Sequence, residues 1–597
     1  MCRISGIVNP IASFDNAVKQ VEQMCQLQKH GGPDDEGIYQ NKENNIVLGH
    51  RRLSLIDLSS AGHQPMHYAE KYTITYNGEL YNYKNIKATL VEYGYEFKTN
   101  SDTEVILAAF AKWNTYAFAK FNGMFAFALY DNEENKIYLV RDAAGIKPLY
   151  YATVAGSLVF ASEIKAFTNF EYLQEQNKNV AVFQMAYGYL PEPHTLLKEV
   201  KPLPKGCFLT YDVSTKKTNL QLFNFFSFSN KIINDNETES LIYDTINQAV
   251  KSTMVSDAPI GVFLSGGLDS AILAKLAKDE VKNNLHTLSI YFEENKYSEK
   301  KYQDLVAEKL QSEHHSILLT EKSFHQNFSQ ILNDMDLPSC DGINTWFISK
   351  YAAEAGLKAV LSGIGADELF GGYPSFTRMR TAMAFQHIPN LFLSNASKLA
   401  NKKYGRISYL QIEGIRGLYL FLRGHFSPNE IATQLGAYEK DIWKILEEEI
   451  TSPDLNLTAG NKASWMEFNQ YMQDQLLRDA DVMSMAHGLE IRVPFLDNAV
   501  VNTAFSISEK VKFNKNIKKS LLVNAFGESL PKEIWDRPKM GFSFPFAEWL
   551  KNNAIVKELE QSTNTTTRKT YEDFMAGKLH WSKIMSLVVL KHKMVLA

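Results

Sequence analysis

Hydrophobic and polar positions follow different patterns in the two halves of the chain. In the first half, short runs that are apolar or that alternate apolar and polar residues lie between turn residues, which is typical of β-strands. The predicted strands are residues 4–8, 45–49, 72–76, 124–130, 137–141 and 158–161. Helical spacing is found in residues 17–30 and 103–113, and Ser101 and Asp102 are candidate caps for the second of these helices. The pattern predicts a strand-rich first unit.

The second half alternates predicted strands with predicted helices. Residues 211–238 are polar and irregular, and we place the linker there. The strands 260–264, 285–292 and 358–361 then alternate with the helices 271–278 and 299–310, which indicates parallel strands covered by helices. Residues beyond about 379 have mostly helical patterns, and residues 561–567 form a polar loop. The predicted domains are residues 2–215 and 235–597.

Composition and charge exclude several classes of protein. The chain has 597 residues, 45% of them apolar and 22% charged, which is an ordinary globular balance. A net charge of -4, with no basic stripe or zinc-type cysteine spacing, argues against a nucleic-acid partner. A signal-peptide core and a stretch of ~20 apolar residues are both lacking, so we expect a cytosolic protein without a membrane span. Four widely separated cysteines, Cys2, Cys25, Cys207 and Cys340, do not suggest a disulfide framework.

Cys2 is a candidate nucleophile because removal of Met1 would make it the terminal residue. Its thiol would then lie beside a free α-amino group with an ordinary pKa of about 8, which can take the thiol's proton during attack on a carbonyl. The alternative is a small apolar residue near the start of a strand, and position alone favours that alternative. The motifs farther along the chain reverse the preference.

A Ser-Gly-Gly-Leu-Asp-Ser sequence at residues 265–270 follows an apolar strand and opens a helix. Backbone N–H groups and the positive end of the helix converge at such a turn, and the glycines leave room for a phosphate. The motif is not a Walker loop, which carries Gly-Lys-Ser/Thr. It resembles the pyrophosphate-binding loop of enzymes that split ATP between the α- and β-phosphates.

A second cluster at residues 361–373 also follows a short strand and should reach the same edge of the sheet. Asp269 and Asp367 could share a Mg²⁺ ion there, because hard cations take carboxylate and phosphate oxygens. The alternative is that Asp367 and Glu368 cap a helix. We favour metal binding for Asp367 and capping or structural bonding for Glu368.

The whole chain resembles the glutamine-hydrolysing asparagine synthetases of the bacterial B type. The matching motifs of the first half are Cys2, Gly-His-Arg-Arg-Leu-Ser at 49–54, Tyr-Asn-Gly-Glu at 76–79, Ser-Asp-Thr-Glu at 101–104 and Gly-Met-Phe-Ala-Phe at 123–127. In the second half they are the two loops above, Leu-Arg-Asp-Ala-Asp at 477–481, Glu-Ile-Arg-Val-Pro-Phe-Leu-Asp at 490–497 and Arg-Pro-Lys-Met-Gly-Phe at 537–542. The resemblance implies an α+β N-terminal-nucleophile glutaminase domain, an αββα sandwich, followed by an α/β parallel-sheet, adenylate-forming domain with a helical C-terminal part.

For the first domain, the resemblance implies that Cys2 attacks the side-chain amide of glutamine. Asn77 and the backbone N–H of Gly78 would stabilise the oxyanion, and such donors typically contribute about 3 kcal/mol each. The residues assigned to glutamine binding are Arg52, which would pair with the α-carboxylate, Asp102, which would pair with the α-ammonium group, and Glu79. Arg51 could exchange roles with Arg52.

For the second domain, the resemblance implies a site for ATP and Mg²⁺. Its members would be Leu264, Ser265, Gly266, Gly267, Asp269, Ser270, Ile290, Ser362, Gly363 and Lys519, with Asp269 and Asp367 holding the metal. Lys539 would be the catalytic cation that neutralises charge on the leaving pyrophosphate. Ammonia from the Cys2 site would cross an internal passage to an acyl-adenylate and give an amide and AMP. A homodimer is left open.

Three positions depart from the family pattern. Arg3 replaces a glycine after the nucleophile, Gly31 replaces an arginine, and Ile364 replaces an acidic residue near the adenylate. Ile364 raises the alternative that the same chemistry acts on another carboxylate, such as an amino or uronic acid of a sugar or peptide conjugate, in place of aspartate. A non-catalytic, metabolite-binding relic is a further alternative, which the intact motif residues oppose.

Overall fold

The computed structural model describes residues 2–229, 231–232, 235–281, 285–397, 402–448, 456–513, 517–538 and 544–594. The strands in chain order are β1 (Arg3–Val8), β2 (Asp35–Asn41), β3 (Ile46–Arg52), β4 (Met66–Tyr68), β5 (Tyr72–Leu80), β6 (Gly123–Asp131), β7 (Lys136–Arg141), β8 (Tyr150–Val154), β9 (Ser157–Ala161), β10 (Lys201–Pro202), β11 (Cys207–Asp212), β12 (Thr218–Leu222), β13 (Ile260–Phe263), β14 (His286–Tyr291), β15 (Glu313–Leu318), β16 (Ala359–Leu361) and β17 (Glu490–Arg492).

The α-helices are α1 (Phe14–Leu27), α2 (Tyr83–Glu92), α3 (Asp102–Trp113), α4 (Val180–Tyr187), α5 (Asp235–Thr253), α6 (Leu268–Glu280), α7 (Lys300–Leu310), α8 (Glu321–Asp334), α9 (Ile343–Glu354), α10 (Ala366–Phe370), α11 (Pro374–Phe385), α12 (Asn390–Ser397), α13 (Gly414–Arg423), α14 (Pro428–Leu435), α15 (Glu439–Glu448), α16 (Ala459–Met466), α17 (Arg478–Met485), α18 (Asn498–Ser506), α19 (Glu509–Lys512), α20 (Ser520–Phe526), α21 (Lys532–Trp535), α22 (Phe546–Asn552), α23 (Ala554–Lys557), α24 (Thr565–Met575) and α25 (Trp581–Met594). A π-helix, Glu467–Leu477, leads directly into α17.

The first unit has four layers, with two antiparallel sheets between helices. One sheet has the order β10-β8-β9-β1-β3-β2 and the other the order β12-β11-β7-β6-β5-β4. Alternation along β1 explains the layers, since Ile4 and Val8 pack between the sheets whereas Ile7 packs towards α1. Helices α2 and α3 cover the outer face of the second sheet. The αββα prediction is confirmed.

The second unit is built on one parallel sheet with the order β15-β14-β13-β16-β17. Strand β13 lies in its centre, and β16 lies beside it, so the loops that follow these two strands emerge side by side at the carboxyl edge of the sheet. In α/β sheets, ligands bind at that edge. The prediction of a parallel sheet followed by a mostly helical part is confirmed.

The predicted linker is wrong in its first part. Residues 218–222 form β12, which pairs with β11 and extends the second sheet of the first unit beyond residue 215. The strand has only five residues, Thr-Asn-Leu-Gln-Leu, and its side chains are exposed, so its brief alternation does not stand out from the polar residues around it. The predicted loop at 561–567 is also shorter, because α24 begins at Thr565 with Asn564 as its cap. In the described parts of the chain, every helix is too short or too polar to cross a bilayer.

Candidate active site

Cys2 lies immediately before β1, between the ends of the two sheets. Its backbone nitrogen, which becomes the α-amine once Met1 is removed, donates a hydrogen bond of 3.2 Å to Asn77 Oδ1. Burial raises the pKa of the Cys2 thiol to about 11, and nearby Arg52 acts in the opposite direction. A buried thiol of this kind stays protonated at neutral pH, so it needs a base, and its own amine is the nearest candidate.

Asn77 and Gly78 sit on β5, opposite the thiol. The Nδ2 atom of Asn77 is buried and has no hydrogen-bond partner among the residues that the structure describes. A buried amide donor without a partner is costly, and a ligand oxygen can satisfy it. Gly78 is packed so tightly that a Cβ there would lie 2.1 Å from the carbonyl oxygen of Met124. Both features suit an oxyanion site beside Cys2.

The two neighbouring arginines of β3 have different surroundings. Arg51 forms an ion pair with Glu36 and donates to the carbonyl of Gly32. Arg52 donates to the carbonyls of Ser59 and Asp57 and contributes to the electrostatic field at the Cys2 thiol. Because side chains alternate along a strand, only one arginine can face the thiol. That arginine is Arg52.

Asp102 and Glu79 bring two buried carboxylates to the same region. Asp102, at the start of α3, accepts hydrogen bonds of 2.9 Å from the Tyr76 hydroxyl and from the Leu80 N–H. Burial raises the pKa of both carboxyl groups, and Glu490 adds to the effect on Glu79. Both carboxyl groups lie close enough to the amino end of the chain to be candidate partners for the ammonium group of an amino acid.

Arg3 and Gly31, two of the departures from the family pattern, fit each other. The guanidinium of Arg3 is fully buried and pairs with Glu163 (Nε to Oε1, 2.5 Å) and with Asp481 of the second unit (Nη1 to Oδ2, 2.9 Å). A Cβ on Gly31 would lie 2.8 Å from Arg3 Cγ. The missing side chain at position 31 therefore makes the room that Arg3 occupies.

The phosphate-loop candidate joins β13 to α6. Gly266 has a φ of +80°, which favours glycine. The Ser270 hydroxyl accepts a hydrogen bond of 3.1 Å from the Ser265 N–H, and the Ser265 hydroxyl accepts one of 3.3 Å from the Gly267 N–H. These bonds hold the turn open at the N-terminus of a thirteen-residue helix.

Asp269 and Asp367 are brought together from the two separate loops. The Lys519 ammonium group pairs with both carboxylates and thus lies between them. A Cβ on Gly372 would collide with Asp367 Oδ1, so a glycine is needed for this approach. Two carboxylates that share one cation form a donor set that fits Mg²⁺, which takes hard oxygen ligands. Their attraction also raises the pKa of Lys519 against the effect of burial.

A cavity of about 250 Å³ opens next to these carboxylates. The predicted nucleotide residues that line it are Leu264, Ser265, Asp269, Ser270, Ile290, Ser362 and Gly363. Three predicted residues do not line the cavity. Gly266 and Gly267 form the turn, and Lys519 pairs with Asp269 and Asp367. Ile364 also lines it, and so do Asp341 and Asp479, which the motif reasoning missed.

Glu368 has a structural role, as predicted. Its carboxylate accepts a hydrogen bond from the Gly365 N–H at the start of α10 and another, of 2.8 Å, from the Tyr373 hydroxyl. Lys539, the predicted catalytic cation, lies outside the described residues.

Arg492 joins the two sites, and sequence reasoning did not assign it a role. Its guanidinium pairs with Glu490 at 2.6 Å and lies 3.7 Å from Glu79 Oε1. Its carbonyl accepts a hydrogen bond of 2.8 Å from the Ser362 N–H, at the rim of the cavity. The signal available in the sequence was a charged Glu-Ile-Arg strand among apolar segments.

The αββα unit holds a buried thiol near its first strand, and the parallel sheet carries a glycine-rich turn at its carboxyl edge. This combination is that of a glutamine amidotransferase fused to a synthetase. Family models agree: "Glutamine amidotransferase domain" matches residues 1–223 and "Asparagine synthase" matches residues 241–580. The chain belongs to the family of glutamine-hydrolysing asparagine synthetases, and it is an enzyme of the ATP-using ligase and amidotransferase class.

Three relatives illustrate the range of the family. Asparagine synthetase [glutamine-hydrolyzing] 1 of Bacillus subtilis is 32% identical over 95% of this chain and 90% of its own. A putative asparagine synthetase of Mycobacterium tuberculosis is 30% identical over 91% of this chain and 86% of its own. Amidase chry2 of Gibberella zeae is 24% identical over 92% of this chain and 90% of its own.

Proposed function

We propose that this enzyme amidates a carboxylate through an acyl-adenylate, with glutamine as the nitrogen donor and aspartate as the simplest acceptor. The observation that carries the proposal is that Asp269 and Asp367 both pair with the ammonium group of Lys519 beside the cavity. Neither carboxylate is needed to hydrolyse glutamine. Both are suited to an ATP-dependent step at the end of a parallel sheet.

In the glutaminase half, the Cys2 thiol attacks the side-chain amide carbon of glutamine while the terminal amine takes the thiol proton. Asn77 Nδ2 and the Gly78 N–H donate to the oxyanion. Collapse of the tetrahedral intermediate releases ammonia and leaves a thioester, which water hydrolyses to glutamate. Arg52, Asp102 and Glu79 hold the two charged ends of the amino acid.

In the synthetase half, an acceptor carboxylate oxygen attacks the α-phosphorus of ATP, and pyrophosphate leaves. Mg²⁺ held by Asp269 and Asp367 would neutralise phosphate charge. Lys519 keeps the two carboxylates together, and Lys539 would add positive charge to the leaving group. Ammonia then attacks the acyl carbon, the C–O bond to phosphate breaks, and the amide and AMP form.

The experiment is to supply ATP, Mg²⁺, ammonium and one candidate carboxylate at a time and to follow pyrophosphate and AMP. Aspartate-dependent release of both, with asparagine as the product, supports the proposal. Glutamate release without pyrophosphate from any acceptor would contradict the adenylate. Homodimer formation and a cytosolic location stay predictions, which light scattering and cell fractionation test.

A different acceptor is the second candidate, and Ile364 is the observation that favours it. This apolar side chain lines the cavity, where it can neither accept a proton nor pair with an ammonium group. The relative named as an amidase indicates that full-length similarity extends beyond proteins named as asparagine synthetases. If the acceptor lacks an ammonium group near this point, aspartate should be a poor substrate and Ile364→Glu should improve its use or disrupt the pocket. Efficient use of aspartate by the wild type refutes this candidate.

A further inference from the structure

Three side chains with metal-binding groups meet at the start of β14 and β15. His286 pairs in register with Glu313, and Leu288 pairs with His315 in the same parallel ladder. Residues two apart on a strand share a face, so Glu313 and His315 project on the side where His286 lies. His314 faces the other way, and its Nδ1 atom lies 2.9 Å from the Thr287 hydroxyl.

The distances among the three groups are close to those of a filled coordination shell. His286 Nδ1 lies 3.7 Å from Glu313 Oε2, and His315 Nε2 lies 3.9 Å from Glu313 Oε1 and 3.5 Å from His286 Nδ1. Zn²⁺ binds nitrogen and oxygen ligands at about 2.0–2.2 Å in a tetrahedron, which puts neighbouring ligands about 3.3 Å apart. Shifts of a few tenths of an ångström at the side-chain ends would close the difference.

We propose that His286, Glu313 and His315 bind one divalent first-row transition-metal ion, with Zn²⁺ as the best fit. Two imidazoles and one carboxylate suit Zn²⁺, Co²⁺, Ni²⁺ or Cu²⁺, whereas Mg²⁺ prefers an all-oxygen shell. The side chains are 31%, 51% and 33% exposed, so the ion exchanges with solvent and water completes its shell.

The position of this site separates it from the reaction. It lies at the amino-terminal ends of β14 and β15, whereas Asp269 and the nucleotide cavity lie at the carboxyl edge of the same sheet. β15 is the edge strand of the sheet. Metal bound across β14 and β15 fastens that edge, so its effect is on stability, and the inference does not rest on the proposed acceptor.

The test uses the full-length enzyme, cleared of metal and titrated with Co²⁺ and then with Zn²⁺. We expect a site whose Co²⁺ absorption lacks a thiolate charge-transfer band, which separates it from metal held by Cys2. It should persist in Asp269→Asn, which separates it from metal held by Asp269 and Asp367. His315→Ala and His286→Ala should each raise the dissociation constant of this site at least about tenfold, since each removes one of three protein ligands. Zn²⁺ should raise the melting temperature of the wild type more than that of either variant.

His325→Ala is the matched control. His325 Nε2 lies 3.2 Å from Glu321 Oε1 and is exposed to a similar degree, but among the described residues this pair has no third histidine, cysteine or carboxylate close enough to complete a metal site. This variant should bind Co²⁺ and Zn²⁺ as the wild type does. Glu313→Gln, which keeps the shape of the side chain, replaces either histidine variant if that variant fails to fold by circular dichroism. The proposal would be overturned if the wild type and the variants of His286, Glu313 and His315 bound metal with equal affinity. It would also be overturned if His325→Ala lost as much metal affinity as those variants.

Discussion

The fit of Arg3 into the space beside Gly31 predicts that Gly31→Ala destabilises the wild type but stabilises a variant that lacks the Arg3 side chain. In the wild type, Gly31→Ala places a methyl group 2.8 Å from Arg3 Cγ and 2.9 Å from Arg3 Nε. The arginine must move, although it is held by Glu163 and Asp481. Overpacking of this kind costs about 1–3 kcal/mol of unfolding free energy.

Arg3→Ala should itself be destabilising, because it leaves buried carboxylates without their main partner. Breaking a buried ion pair costs about 3–5 kcal/mol. The loss should lie near the lower end, since Glu163 keeps His30 and Lys165, at 3.0 and 2.7 Å. Once Arg3 is gone, the methyl group at position 31 enters free space. Gly31→Ala then stabilises by about 0.4–1 kcal/mol, because alanine restricts the unfolded chain and Gly31 does not have a positive φ.

The assay is a double-mutant cycle on urea unfolding, followed by circular dichroism and by loss of glutamate release from glutamine. Two probes are needed because a chain of this length need not unfold in one step. The expected coupling between positions 3 and 31 is about 1.4–4 kcal/mol, because the cost in the wild type and the gain in the Arg3→Ala background add. Gly31 ends the short 3-10 helix Lys29–Gly31. The control is Gly405→Ala, because Gly405 lies in the 3-10 helix Lys402–Gln411 and likewise has no positive φ, and its effect should be independent of Arg3. An equal cost of Gly31→Ala in both backgrounds would refute the reasoning.

Four further outcomes are expected. Cys2→Ala should abolish glutamine-supported amidation but keep ammonium-supported pyrophosphate release, and equal loss with both donors would contradict two separate sites. Asp269→Asn or Asp367→Asn should slow pyrophosphate release on the order of 100-fold at ordinary Mg²⁺, with glutamate release nearly unchanged. Pyrophosphate release at the wild-type rate in both variants would show that these carboxylates are structural. Lys539→Ala should show the same division between the two activities, and a changed Mg²⁺ requirement would argue against its role. Burial raises the pKa of Asp479 to about 7, above its ordinary value of about 4. The folded state therefore binds this proton more tightly, and the free energy of unfolding falls as pH rises through about 4–7. Asp479→Asn should remove this decrease, and the same dependence of the urea midpoint on pH in both proteins would contradict the prediction.

The alternating and helical patterns predicted the elements that have an apolar face. Strands β1, β5, β6 and β7 lie within a few residues of their predicted positions because each is rich in apolar residues and is buried on both faces. β15 was missed because Glu-His-His-Ser begins it, and β17 because three residues are too few to show a period. In both, pairing with a neighbouring strand outweighs weak local preference.

Part of the site could be predicted because its residues are close in sequence. The turn from Ser265 to Ser270 contains its own hydrogen bonds, so the motif alone specifies its shape. Arg3 meets Asp481, and Arg492 approaches Glu79, across the boundary between the two units, so these contacts depend on how the units dock. A single sequence without that docking shows only isolated charges.

The ion pair between Arg3 and Asp481 also has a consequence for the order in which the enzyme is made. The ribosome produces the residues of the glutaminase half first, but Asp481 emerges several hundred residues later, on the order of tens of seconds at about 5–20 residues per second. Until then, the guanidinium of Arg3 has Glu163 of its own half but lacks its second buried partner. The complete set of ion pairs around Arg3 therefore forms only after most of the synthetase half has been translated.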